Sequence, residues 1–206
     1  MEVGIICETA GQEMGEAKQT ERSKGHDFDE SLLSKVEHRL LERINSDSSD
    51  MRAIFRYGVI AAFRNDFYTA SQNFAKVALS NWNRSLSRNN LAVVYFRSGI
   101  TRTAIEIFLE LAQSKEAYPA IFFNLAIICD RIAAFGGEAP PELIKCNLLS
   151  AESRADQKAA EYFKRSLEAQ HSWGSGLDGA LYLWPEDVPP SLGFTIGMTQ
   201  PSIEDA

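Results

Sequence analysis

Apolar positions along the chain recur at helical spacing, in blocks separated by short polar stretches. The first block is "DESLLSKVEHRLLERI", residues 29–44, where Leu32, Leu33, Val36, Leu40, Leu41 and Ile44 share a helical side. Acidic residues open it, as the helix dipole favours, and "NSDSSD" breaks it. This predicts an N-terminal helix over 29–46. Residues 1–28 are polar and aperiodic and read as disordered or loosely attached. Beyond residue 50 the blocks predict helices at about 51–64, 85–98 and 119–133. Pro119 suits a first helical turn, and Ser153 with Asp156 has capping-box spacing before a last helix in "ADQKAAEYFKRSLEAQ".

These blocks repeat. "YGVIAAFRNDFYTASQNF" (57–74) aligns with "LAVVYFRSGITRTAIEIF" (91–108) at an offset of 34 residues. Gly58 falls on Ala92, Ala70 on Ala104 and Phe74 on Phe108. A further step of 34 places Ala126 on Ala92 and Asn124 on Asn90. Small residues at Gly58, Ala92 and Ala126 let paired helices approach closely, and the phenylalanines fill the space beyond. Each pair leaves an apolar face that stacking must cover.

A helix-turn-helix unit of this length resembles the tetratricopeptide (TPR) family. Leu91, Ala92, Tyr95, Gly99, Ala104 and Phe108 carry the likeness in the second unit, and Tyr57, Gly58, Ala70 and Phe74 in the first. It covers about residues 51–170, with an insertion at 134–157. The resemblance implies an all-α fold: a right-handed superhelical array of about three TPR pairs, preceded by one helix and followed by an irregular tail, 171–206.

It also implies a concave face lined by the opening helices, whose inner stripe takes in Phe55, Arg56, Val59 and Phe63 of the first helix and Asn89, Asn90, Phe96 and Arg97 of the second. Asn90 and Asn124 occupy equivalent places there, and similar TPR proteins use such asparagines to hold the backbone of an extended peptide. An amide side chain can both donate and accept. Phe55, Phe96 and Phe123 are expected to take apolar side chains, and Arg56, Arg97 and Arg131 a partner carboxylate. Two plainer readings stand beside this one. The asparagines could only cap or bridge helices, and the aromatic stripe could be core beneath the tail. The subclass that clamps acidic chaperone tails needs Lys and Asn where Phe55 and Val59 stand, and Lys at Ala120, so that role is disfavoured.

Charge changes the picture little. Residues 51–133 carry ten basic and five acidic side chains, between two flanks of net −6 each. These cations are spread over several helix faces, which counts against nucleic acid. No run is long and apolar enough to span a membrane. The start lacks the basic residues and apolar core of a secretory signal, and the cysteines are three and irregular. A reducing, cytoplasmic setting is expected. No cofactor or metal motif and no catalytic constellation can be nominated. "GSGLDG" (174–179) lacks the strand-and-helix setting of a dinucleotide loop, and His38 with Glu42 reads as a solvated pair. The tail, rich in Gly, Pro and aromatics, reads as a cap on the array or a docking segment. The expected function is therefore non-enzymatic: an adaptor, scaffold subunit or small chaperone binding an extended, partly acidic or apolar peptide of a protein partner. A secretion-type chaperone shielding apolar export substrates is a variant of that reading. The rival of another class is an enzyme with a catalytic element near Trp173–Trp184.

Overall fold

A computed structural model describes residues 30–80, 82–115, 117–134, 148–149, 154–173, 179–183 and 187. Within them lie seven α-helices and no strand. They are α1 (Glu30–Ser46), α2 (Met51–Phe63), α3 (Phe67–Ala78), α4 (Arg84–Arg97), α5 (Thr101–Gln113), α6 (Pro119–Ala134) and α7 (Ala155–Trp173). The predicted N-terminal helix and the three opening helices are all present, and Pro119 is the first residue of α6. The segment 1–28, the proposed cap at Ser153 and most of the 134–157 insertion lie outside the described residues. Of that insertion, Leu148 and Leu149 are buried. The last helix runs to Trp173, three residues into the segment expected to be irregular. The sequence offers no Gly or Pro until Gly174 to stop it.

Local chemistry explains the boundaries. The carboxylates of Asp50 and Asp66 accept the Ala53 and Thr69 N–H groups at 2.9 and 3.0 Å, capping α2 and α3. The α2–α3 and α4–α5 connections turn on Asn65 (φ 60°) and Gly99 (φ 87°). Both residue types tolerate this left-handed backbone, and the two stand 34 residues apart, so the period governs turns as well as faces.

Each helix packs on its neighbour in sequence, except that α6 meets α7 across the insertion. In addition α2 touches α4, and α4 touches α6, so these three form one row. Ala70, Phe74, Ala92, Ala104, Phe108 and Ala126 are all fully buried in the main core. Full burial of each phenylalanine contributes roughly 2–3 kcal/mol. At Gly58 an added Cβ would lie 3.0 Å from Phe74 Cε1 and 3.2 Å from Asn73 Cβ, so α2 and α3 approach too closely there for a larger side chain to enter without a shift.

A second, smaller cluster fastens α1. Leu33, Leu40, Ala53 and Ile60 are buried together, with Val36, Ile44, Tyr57 and Phe63 around them. Phe63, expected on the inner stripe, faces this cluster instead. It continues the line of Ala53, Tyr57 and Ile60 along the other side of α2. Arg64 bridges back to Glu30 and Glu37 of α1.

Candidate functional site

Three asparagines on the α2–α4–α6 row, Asn89, Asn90 and Asn124, are completely buried. A buried amide needs partners, because losing its water uncompensated is costly. Here the partners are main-chain groups of the C-terminal tail. Asn90 Nδ2 donates to the Gly179 carbonyl (2.7 Å), and Asn90 Oδ1 accepts from Leu181 N–H (2.9 Å). The Leu181 carbonyl accepts from Asn89 Nδ2 (3.1 Å) and Asn124 Nδ2 (3.3 Å). Asn124 Oδ1 accepts from Leu183 N–H (2.7 Å). The amides also brace one another, Asn124 Nδ2 donating to Asn89 Oδ1 and Asn89 Nδ2 to Asn90 Oδ1. Residues 179, 181 and 183 thus present their polar backbone to one side, the period of two that belongs to an extended chain.

Side chains complete the seat. Gly179 lies on Phe55, where a Cβ would come within 2.7 Å of Cε1. Phe55 is itself held by Phe74 and Trp82, with ring centroids 5.6 Å away in each case. Tyr182 meets Phe123 edge to face at 5.4 Å, and Phe163 backs Phe123 at 5.8 Å. Ala180 and Leu183 join the main core. Arg97 donates through Nε and Nη2 to one carboxylate oxygen of Asp187 (3.2 and 3.1 Å) and through Nη2 to the Tyr182 carbonyl (3.0 Å). The two side chains of this ion pair are only 10% and 14% exposed.

The 34-residue register organises the whole site. Phe55, Asn89 and Phe123 are one position in three successive units, and Arg56, Asn90 and Asn124 are the next. Five of the sequence-predicted residues, Phe55, Asn90, Arg97, Phe123 and Asn124, therefore converge on residues 179–183 and Asp187. Phe96 is 3% exposed and belongs to the core that also takes in Ala180 and Leu183. Arg56 and Arg131 are half-buried on α2 and α6. Asn89 lies on the predicted inner stripe, but the sequence assigns it no peptide contact. Its equivalents are two phenylalanines, so the repeat disguised it. The available signal was its place beside Asn90 on an otherwise apolar helix.

Cys129 is buried and unpaired, and burial pushes its thiol up to about 12. Burial likewise raises Tyr162 to about 12 and Tyr118 well above its ordinary value. His38 and Glu42 form an exposed pair at 3.2 Å. Among the described residues no cluster of three His, Cys, Asp or Glu could hold a metal ion, and no helix is long and apolar enough to cross a membrane. No protein-family model matches the chain, and neither curated proteins nor solved structures give a match.

Proposed function

We propose that the chain is a TPR-like interaction module, non-enzymatic, whose helix pairs form a right-handed superhelical array and whose inner row of helices binds an extended peptide of a partner protein. It would serve as an adaptor, scaffold subunit or small chaperone. One observation carries this reading: a buried asparagine ladder grips residues 179–183 by hydrogen bonds to their main chain. Such a device suits any extended segment, and here the segment held is the chain's own.

Magnitudes indicate how the grip divides its work. Five main-chain hydrogen bonds contribute roughly 0.5–1.5 kcal/mol each. Ordering five residues costs roughly 1–2 kcal/mol apiece. The ladder therefore about offsets the entropy and fixes register. Net affinity rests on the seats at Phe55, Phe123 and Arg97.

The test is a synthetic peptide array of extended sequences carrying aromatic and acidic residues, probed with the unaltered chain and with Asn90→Ala plus Asn124→Ala. The double variant is expected to lose at least ~10-fold in capture, about 1.4 kcal/mol, with the far-ultraviolet helical signal unchanged. Equal capture by both proteins would remove the backbone-holding role.

A further inference from the structure

The bound tail exposes what the groove reads beyond main chain, and the inference that follows rests on the peptide-groove reading above. The first seat excludes a side chain twice over. Gly179 has φ +86°, a backbone that L residues rarely adopt, and its missing Cβ would strike Phe55 at 2.7 Å. Phe55 is 2% exposed and wedged against two other rings, so it cannot retreat cheaply. Three residues on, Tyr182 places its ring against Phe123. Eight residues on from the glycine, Asp187 meets Arg97, whose guanidinium also fixes the Tyr182 carbonyl. Apart from the buried Ala180 and Leu183, the distinctive seats are small, aromatic and acidic, at spacings of three and five.

We propose that the groove's external ligand is a segment of a partner protein with a glycine, an aromatic residue three positions later and a carboxylate eight positions later, and that the chain's own 179–187 segment is an internal competitor holding these seats until such a segment displaces it. The charge distribution fits: the array, residues 51–170, carries net +4, whereas the tail, residues 171–206, carries net −5. A second copy of the chain is the weaker occupant. Exchanging tails would create no contact that the closed monomer lacks. It would also forfeit the tether, whose effective concentration is on the order of millimolar for a short connection.

The experiment uses full-length protein and a fluorescein-labelled peptide of residues 179–187, with fluorescence anisotropy as the readout. Three peptide variants replace the glycine with Leu, the tyrosine with Ala or the aspartate with Asn. The receptors are the unaltered chain and one carrying Gly179→Leu plus Asp187→Ala. The tail-altered chain is expected to bind the parent peptide at least ~10-fold more tightly, because a groove filled by its tail lowers apparent affinity by the fraction open. Each peptide change is expected to weaken binding at least ~5-fold, about 1 kcal/mol.

Equal binding of all four peptides would overturn the pattern and leave the groove reading standing. Equal binding by both receptors would overturn the competitor role. No peptide binding, while amide exchange shows residues 181 and 183 released, would overturn the groove itself. A dimer of the unaltered chain in sedimentation that the parent peptide dissolves would assign the seats to a second copy, against the proposal. A second measurement needs no variant protein. Excess parent peptide should accelerate amide exchange of Leu181 and Leu183 in the unaltered chain, and the aspartate-to-Asn peptide should do so much less. An identical response to both would again overturn the pattern.

Discussion

Two segments are fastened onto the same row of helix pairs, and they are fastened by opposite means. Helix α1 is held by a patch of Leu33, Leu40, Ala53 and Ile60, with Arg64 reaching to Glu30 and Glu37 at the surface. Residues 179–183 are held by three buried amides, and a nearly buried ion pair anchors Asp187 beyond them. The difference follows from backbone conformation. A helix satisfies its own N–H and C=O groups, so it needs only an apolar stripe to dock. An extended segment brings unpaired main-chain groups into the core, and each must be met by a side chain. The array therefore keeps amides on the one face where a strand-like segment lies, and none of its buried asparagines faces α1.

This contrast predicts that the two attachments fail separately, each with its own readout. The largest effect is expected for Asn90→Ala with Asn124→Ala. The Gly179 carbonyl and the Leu181 and Leu183 amides would lose partners at roughly 1–3 kcal/mol each, so the tail should leave. Amide exchange at Leu181 and Leu183 would report its departure, and the α1 amides should stay protected. If α1 loosens as well, the two regions are coupled. Next comes Leu40→Ala, expected to cost about 2–5 kcal/mol of unfolding free energy in denaturant titration. Exchange at residues 181 and 183 under native conditions should be unchanged. A smaller effect is expected for Asp187→Asn, which weakens a charge-assisted contact by about 1–2 kcal/mol and should speed tail exchange ~5- to 30-fold. Its dependence on salt should be slight, since the pair is shielded from solvent. Smallest is Arg64→Ala, because Glu30 and part of the guanidinium are exposed. It should shift stability by less than about 1 kcal/mol, and added salt should mask the change.

Much of this was legible in the residues themselves. The helices could be placed because apolar spacing of 3.6 is sustained for three or more turns in each. The equivalence of Asn90 and Asn124 could be read because both sit on the same register as Gly58, Ala92 and Ala126 counted two residues on. What the asparagines hold could not be read. "GALYL" is five residues long, too short for a period of two to stand out. Its partners lie 57 to 92 residues away, which no local pattern encodes. Arg97 was expected to meet a carboxylate and does, but the carboxylate is Asp187 of the same chain. Phe63 was assigned to the wrong side of α2 because a stripe counted from the helix start drifts by its end. Only the contact with α1 fixes which apolar side of that helix faces where.

The asparagine ladder also has a polarity. At Asn90 the donor meets the Gly179 carbonyl while the acceptor meets the Leu181 amide, and Asn124 repeats the arrangement two residues along. An occupant threaded backwards would set carbonyl against Oδ1 and amide against Nδ2 unless both side chains flipped. The bracing among the three amides opposes that flip. The seat of residues 179–183 is thus directional: a retro-sequence of the same composition should find no foothold there, however well its rings and carboxylate are spaced.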